Sequence, residues 1–118
     1  MHFDKVWWKI PNELCVYVYL KDNKYESVER LILDNQHFYQ ISDTISYPIM
    51  GAFTTYLIEQ YGIEKYKHLY HYSEDVNHAH KEIYGISLSE LEQDFINNVQ
   101  TQSYSSEQCE KARLELYT

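Results

Sequence analysis

Residues that interrupt regular structure are scarce in this chain, which has three glycines and two prolines among 118 residues. That scarcity argues against a β-sandwich with many turns. A hydrophobic content of 44% argues against disorder, because it supplies enough apolar surface for a core. We therefore predict an all-α fold, a single domain of roughly five or six packed helices, with a short irregular or extended segment as an option at the N-terminus.

Cysteine is also scarce, with two residues in the whole chain. Cys15 and Cys109 lie far apart in the sequence, and neither belongs to a CxxC pair. The chain therefore has no zinc-ribbon or thioredoxin signature. Reduced, packed thiols are the expected state, and a single long-range disulfide is the alternative.

Positive charge and long apolar runs are limited as well. The chain has 10 Lys and Arg against 18 Asp and Glu, a net charge of −8. It has no basic cluster to attract a phosphate backbone, so no nucleic-acid partner is expected. No apolar run approaches the length of about 20 residues that a membrane span needs. Charged residues also interrupt the N-terminus, where a secretory signal would have a continuous apolar stretch. We expect a cytoplasmic chain as written, although a segment of a longer exported protein would have the same pattern.

Helical periodicity dominates after residue 45. A helix is predicted from Tyr47 to Tyr61, with Pro48 in its first turn and Gly62 as its stop. Two more helices are predicted, from Ile63 to about Ser73 and from about Glu74 to Tyr84. The apolar face of the helix from Tyr47 to Tyr61 is expected to consist of Met50, Phe53, Leu57 and Tyr61.

Two serine capping boxes predict the remaining helices. The sequence S-x-x-E at 87–90 opens one helix, and S-x-x-Q at 105–108 opens another that ends near Tyr117. In a capping box the serine and the Glu or Gln side chains each satisfy a backbone N–H that has no helical partner. The buried stripe of the helix after 87–90 is expected to be Leu88, Leu91, Phe95 and Val99.

The first 45 residues have weaker patterns. The sequence LCVYVYL, residues 14–20, alternates like a strand but is also apolar enough for a buried helix, and both assignments stay open on the pattern alone. Residues 27–34 predict a short amphipathic helix. The predicted organisation is one domain over 1–118, with a less certain part at 1–45, a helical block at 46–101 and a peripheral helix at 102–118.

Two segments of the helical block carry a family resemblance. Residues 47–70 read YPIMGAFTTYLIEQYGIEKYKHLY, and residues 82–95 read EIYGISLSELEQDF. The first is similar to the pattern Y-x-x-x-G-x-F-x-x-Y-L-I-x-x-Y-G-x-x-K that follows the active site in many gluzincins, the thermolysin-like zinc peptidases of the peptidase-MA type. The second resembles the closing helix of that domain. The resemblance implies the fold of the C-terminal helical half of a gluzincin.

The resemblance extends upstream to NELCVYV at residues 12–18, which is similar to the EGLAVYL segment that carries the third zinc ligand, a glutamate. In that alignment Asn12 takes the glutamate position and Glu13 the glycine position. A shift of one residue would make Glu13 the ligand but would misalign the apolar face. The resemblance favours a helix for residues 14–20, and it leaves Tyr47 at most a vestigial part in oxyanion stabilisation.

The zinc-binding motif H-E-x-x-H of that family is absent from the chain. In this motif two histidines one helical turn apart bind zinc, and the glutamate between them activates a metal-bound water. The only histidine before Asn12 is His2, so two ligands and the general base are missing. The resemblance therefore implies the fold without the hydrolytic centre, and we predict no catalytic residues.

A histidine cluster offers an alternative metal site. His68 and His71 are three residues apart, and His78 and His80 follow. Helical zinc pairs commonly have i, i+4 spacing, and His78 and His80 would face different sides of a helix. The gluzincin-like alignment puts His80 where an aromatic side chain packs and His78 on a solvated face. We predict structural or surface roles for these histidines and no bound cofactor, with zinc at His68, His71 and His78 as the alternative.

Aromatic residues are abundant, with 13 tyrosines, four phenylalanines and two tryptophans. Most tyrosines of the helical block are expected to pack between helices, whereas Trp7 and Trp8 are the predicted surface for a partner chain or a second copy.

The acidic pairs at 74–75 and at Glu90 and Glu92 are interpreted as solvated helix faces.

Together these patterns predict a non-catalytic helical binding or scaffold module, a truncated or degenerate relative of a zinc-peptidase C-terminal region. The apolar surface that a missing N-terminal half would cover predicts a protein partner or self-association. The alternative is a fragment that completes a zinc-peptidase domain whose H-E-x-x-H part lies elsewhere. A small histidine-rich metal-binding protein is the third hypothesis.

Overall fold

The computed structural model describes residues 6–7, 10–71 and 75–117, and in these residues a two-stranded hairpin precedes eight α-helices. The strands are antiparallel, with Val6 opposite Pro11 and Trp7 opposite Ile10. The elements are β1 (Val6–Trp7), β2 (Ile10–Pro11), α1 (Asn12–Lys21), α2 (Val28–Leu33), α3 (Asn35–Gln40), α4 (Asp43–Tyr61), α5 (Ile63–Tyr70), α6 (Val76–Tyr84), α7 (Leu88–Gln100) and α8 (Ser106–Leu116).

The all-α prediction is confirmed, although the described residues contain eight helices where roughly five or six were expected. The two additional helices are α1, whose sequence also fits a strand but for which the resemblance favoured a helix, and α3, whose six residues show no apolar periodicity. Within the described part of the chain, no helix has the length and apolar character needed to cross a membrane.

Helix α1 lies at the centre of the fold. Its residues Cys15, Val16, Val18 and Tyr19 have no exposed surface, because α4, α7, α8 and β2 pack around it. A helix that is covered on all sides is apolar on all sides, so its sequence lacks the 3.6-residue period that distinguishes a helix from a strand. The apolar run at residues 14–20 is therefore a buried helix and not a strand.

Helix α4 begins four residues earlier than predicted, at Asp43, where the Ser42 hydroxyl accepts a hydrogen bond from the Thr44 N–H. Pro48 therefore lies inside the helix and not in its first turn, which corrects the sequence-based prediction. Proline has no N–H to donate to the carbonyl four residues earlier, which belongs to Thr44. The buried Tyr19 hydroxyl donates to that carbonyl at 2.6 Å. This bond joins α1 to α4 where the proline interrupts the helical hydrogen bonds.

The stops of α4 and α6 and the starts of α7 and α8 lie where local sequence signals predicted them. Gly62 and Gly85 follow α4 and α6 with φ angles of +93° and +83°, a conformation that glycine adopts without strain. The serine capping boxes at 87–90 and 105–108 both form, with hydrogen bonds in both directions between the two side chains and the backbone. These signals depend only on neighbouring residues, so tertiary packing has not displaced them.

Glu92 corrects the prediction of a solvated acidic pair on α7. Its side chain is buried, and its carboxylate accepts hydrogen bonds from the N–H groups of Val28 at 2.6 Å and Glu29 at 3.0 Å, in the first turn of α2. The hydroxyls of Tyr25 and Ser27 donate to the same carboxylate at 2.5 and 3.0 Å. A carboxylate at a helix N-terminus satisfies free N–H groups and complements the helix dipole. Glu92 therefore fixes α2 against α7.

Helix α8 belongs to the main core, although a peripheral helix was expected for residues 102–118. It packs against α1. At the end of α1, the Arg113 guanidinium donates to both carboxylate oxygens of Asp22 at 3.0 Å, and these bonds hold the pKa of Asp22 below its usual range. The side chains that α8 buries are Cys109, Ala112 and Leu116.

The two cysteines are free thiols inside the core, on α1 and α8. Burial raises the pKa of Cys15 to about 12. A thiol with such a pKa is protonated at neutral pH and is a poor nucleophile. The structure thus has the packed thiols that were expected and not a long-range disulfide.

Candidate functional site

A pocket of about 350 Å³ opens where β2 leads into α1. Its volume is in the range of small-molecule sites in proteins. Its walls come from the β2–α1 junction, from α4, from α7 and from the loop between α7 and α8. The described residues that line it are Pro11, Asn12, Glu13, Ala52, Thr55, Tyr56, Glu59, Gln60, Phe95, Asn98, Val99, Gln102 and Tyr104.

Two carboxylates line this pocket, Glu13 from the first turn of α1 and Glu59 from α4. The Oε1 atom of Glu13 is buried and has no hydrogen-bond partner among the described residues. Burial raises the pKa of Glu13, and the negative charge of Glu59 raises it further. The pocket is therefore lined by two acidic groups from different helices, and one of them has a buried oxygen atom.

Three aromatic rings form the apolar part of the wall: Tyr56, Phe95 and Tyr104. The centroids of Tyr56 and Phe95 are 5.6 Å apart, and Tyr104 packs edge-to-face against Tyr17 at 5.1 Å. Burial raises the pKa of both pocket tyrosines, and the charge of Glu13 adds to the effect at Tyr104. Their hydroxyls therefore remain protonated at neutral pH and can donate a hydrogen bond to a ligand.

Asn12 and Glu13, which the resemblance placed at the third zinc ligand, both line the pocket. Asn12 is buried and Glu13 is half-buried. Tyr47 is not among the lining residues, and 46% of its surface is exposed on another part of α4. The structure thus brings Asn12 and Glu13 together at the pocket and separates Tyr47 from them.

The histidines of the predicted metal cluster lie on the surface around α5 and α6. His68, His71 and His78 are exposed, and Nε2 of His78 is 3.7 Å from a carboxylate oxygen of Glu82 on the same helix. Across residues 10–71 and 75–117, no group of three or more His, Cys, Asp or Glu side chains is arranged to hold a metal ion.

His80 is buried on α6, as the gluzincin-like alignment predicted for this position. Its Nδ1 lies 2.7 Å from the carbonyl oxygen of Val76, and its ring centroid is 6.1 Å from that of Tyr84. Burial lowers the pKa of His80, because the charged form of a histidine is disfavoured away from water. His80 is therefore a neutral packing residue of the core.

The predicted binding residues Trp7 and Trp8 lie outside the described residues, apart from the Trp7 backbone in β1. Exposed aromatic side chains cluster on α3 and α4. Tyr39 is 82% exposed and Tyr47 is 46% exposed. The Phe38 ring packs against both, at centroid distances of 5.5 Å from Tyr39 and 5.9 Å from Tyr47. We call Phe38, Tyr39 and Tyr47 the α3–α4 aromatic patch.

Sequence patterns did not identify Glu59, Tyr56 and Tyr104 as residues of a site. Tyr56 and Glu59 are three residues apart on α4, a helical spacing that many polar helix faces share. Tyr104 lies in the loop TQSYSS between α7 and α8, and it reaches the pocket only because α8 packs back onto α1. None of these three placements therefore had a specific signal in the sequence.

Comparisons with known proteins give no match, whether with protein-family models, with curated proteins or with solved structures. The resemblance of residues 47–95 to gluzincins therefore rests on its motifs alone.

Proposed function

We propose that this chain is a non-catalytic helical binding module that associates with a second copy of itself through the α3–α4 aromatic patch. The observation that supports the proposal is the exposure of Tyr39, with 82% of its surface accessible beside the rings of Phe38 and Tyr47. Exposed tyrosine and phenylalanine rings are characteristic of protein interfaces, because they bury a large area at a small cost in side-chain entropy.

The distribution of charge favours this surface over others. The chain has a net charge of −8, so two copies repel each other over most of their surfaces. Between Asn35 and Ile58, however, Asp43 is the single residue that is Asp, Glu, Lys or Arg. Two copies that meet through α3 and the first part of α4 therefore avoid most of this repulsion.

The non-catalytic part of the proposal is supported by the sequence. The chain contains no H-E-x-x-H motif, which supplies two ligands and the general base in the enzymes that it resembles. Zinc-dependent peptide hydrolysis by the purified chain would contradict this part of the proposal.

Sedimentation velocity over a wide range of protein concentrations tests the association. We expect a concentration-dependent dimer, and we expect Tyr39→Ser to weaken the dimer by about tenfold or more, since a central aromatic residue of an interface commonly contributes at least this much. The matched control is Leu114→Ser, which removes another exposed apolar side chain, 68% accessible, on α8. A strictly monomeric chain, or equal effects of both substitutions, would exclude the patch as an interface.

One observation favours the second candidate, a fragment that completes a zinc-peptidase domain. Glu13 places a carboxylate at the pocket close to the position that the resemblance assigns to the third zinc ligand. Expression together with a segment that carries H-E-x-x-H, encoded about one helical hairpin before Asn12, tests this alternative. Stoichiometric zinc that is lost on Glu13→Gln would favour the fragment, and an assembly that takes up no zinc would exclude it.

A further inference from the structure

Helix α3 carries two of the three rings of the α3–α4 aromatic patch, yet it buries none of its six side chains. Four of these side chains are exposed, and those of His37 and Phe38 are partly buried. A helix this short is not stable by itself in water, so contacts with its neighbours have to hold it in place. Elements with few buried apolar contacts are the ones that open locally in native proteins.

The contacts of α3 with the rest of the fold lie at the edge of the core. The helix packs against α2, and two of its side chains reach other neighbours. Nε2 of His37 lies 3.2 Å from a carboxylate oxygen of Glu26, in the loop before α2. The Phe38 ring packs against Tyr47 of α4 at a centroid distance of 5.9 Å. None of these four side chains is fully buried, so their separation would leave the buried core intact.

Residues with extended backbone flank α3 on both sides. Asp34 ends α2 and begins α3 with φ −121° and ψ 93°. Ile41 follows α3 with φ −81° and ψ 142°. In hinged motions, a few residues at the ends of elements absorb the change in backbone angles. Asp34 and Ile41 are therefore suited to act as hinges.

The helices on either side of α3 are held in place without it. The Glu92 carboxylate accepts from the first turn of α2 and joins it to α7. The Tyr19 hydroxyl donates to the Thr44 carbonyl and joins the start of α4 to α1. Movement of α3 would therefore leave both of its neighbours in place. We propose that α3 is a hinged segment that undocks as a unit between Asp34 and Ile41, and that it completes the α3–α4 aromatic patch only when it is docked.

Undocking itself does not require self-association, but its consequence for the patch rests on the proposed function. Phe38 and Tyr39 move with α3, whereas Tyr47 stays on α4, so undocking divides the patch. A second copy that binds the complete patch binds the docked state only. By linkage, self-association then holds α3 in its docked position.

Native-state hydrogen exchange of the full chain tests the proposal at a low concentration, where the monomer dominates. The amides of Phe38 and Ile41, which are hydrogen-bonded in the two turns of α3, are the α3 reporters. The amide of Phe95, in the middle of α7, represents the core. We expect at least about tenfold less protection at the α3 reporters than at Phe95. Dilute urea should speed exchange at Phe95 only, because undocking exposes little surface and global unfolding exposes much.

Two substitutions separate undocking from global unfolding. His37→Ala removes the contact with Glu26 and should speed exchange at the α3 reporters by about three- to tenfold, because a single hydrogen bond commonly contributes this much. Val99→Ala leaves a cavity in the core at α7 and should speed exchange at Phe95 by about tenfold or more. The α3 reporters should change by less than about twofold in Val99→Ala, because undocking does not open the core.

His37→Gln and Gln36→Ala are the matched controls on α3. Glutamine places an N–H group close to the position of the histidine Nε2, so it should keep most of the contact with Glu26. Gln36 is exposed, and Gln36→Ala should change exchange at the α3 reporters by less than about twofold. The proposal is refuted if the α3 reporters share the protection and the urea dependence of Phe95, or if Gln36→Ala speeds their exchange as much as His37→Ala does.

The dependence on protein concentration separates this inference from the proposed function. If the chain dimerises through the patch, exchange at the α3 reporters should slow by about tenfold at a concentration about ten times the dissociation constant, and Tyr39→Ser should remove this effect. A chain that stays monomeric refutes the proposed function, and the urea dependence then decides on undocking alone. A dimer that leaves exchange at the α3 reporters unchanged refutes the link between docking and the patch.

Discussion

Replacing Tyr19 with phenylalanine should destabilise the fold through one backbone carbonyl. The Tyr19 hydroxyl donates to the Thr44 carbonyl at 2.6 Å, and the ring itself has no exposed surface. Phenylalanine keeps the ring but leaves the carbonyl without this donor. Residue 48, which would supply the helical N–H, is a proline. A buried acceptor that loses its donor costs about 1–3 kcal/mol, and we expect about 1–2 kcal/mol for this partly buried bond.

The same substitution should cost less once residue 48 can donate. Alanine at position 48 has an N–H directed at the Thr44 carbonyl, so Tyr19→Phe in a Pro48→Ala background should cost below about 0.5 kcal/mol. The effects of Pro48→Ala on helix propensity and on packing occur with either residue at position 19 and cancel in a double-mutant cycle. The expected coupling free energy between the two positions is about 1 kcal/mol.

Urea unfolding of the four proteins measures this coupling. Tyr117→Phe is the matched control, because the Tyr117 hydroxyl donates to Asp22 at 2.8 Å and not to α4. Its cost should be the same with proline or alanine at position 48. If Tyr19→Phe also costs the same in both backgrounds, the hydroxyl does not replace the missing donor, and the explanation of how α4 tolerates Pro48 is refuted.

Two further predictions concern buried ionisable groups. Glu92→Gln replaces a carboxylate that accepts from α2 with an amide, and it should lower the free energy of unfolding, measured in urea, by about 2–4 kcal/mol. The control Glu90→Gln changes an exposed capping box and should lower the free energy of unfolding by less than about 1 kcal/mol. Equal effects of the two substitutions would contradict the role of Glu92. Burial lowers the pKa of His80 in the folded chain. As the pH falls, the unfolded chain therefore binds a proton at His80 at a higher pH than the folded chain does. The contribution of His80 to stability is therefore complete above its ordinary pKa of about 6.5, and it is lost as the pH falls below that value. Thermal melts should show a smaller loss of stability between about pH 7.5 and pH 5.5 in His80→Gln than in the native chain, and equal slopes would exclude this effect.

Helix ends could be predicted from the sequence where the start or stop signal involves residues only a few positions apart. Gly62 and Gly85 end their helices because the left-handed conformation suits glycine wherever the rest of the chain lies. The capping boxes at 87–90 and 105–108 form because their partners are three residues apart. Helix α4 shows the limit, since its start at Asp43 and its tolerance of Pro48 depend on Ser42 and on Tyr19 from another helix.

Glu92 and the pocket could not be predicted, because their partners are distant in the sequence. The carboxylate of Glu92 accepts from residues 63 to 67 positions earlier, and no local pattern distinguishes it from a solvated glutamate on the same helix. The pocket combines α1, α4, α7 and the following loop. The raised pKa of Glu13 has the same origin, since it depends on burial and on Glu59 from another helix.

The sequence by itself determined that this chain is a helical domain with defined helix ends and an acidic net charge, because periodicity, capping and composition act through neighbouring residues. Only the tertiary structure decided which side chains meet. It buried α1 on all sides, placed Glu92 at the start of α2, brought Glu13 and Glu59 to one pocket, and left Tyr39 exposed. These outcomes depend on distances between helices, and a sequence pattern does not contain such distances.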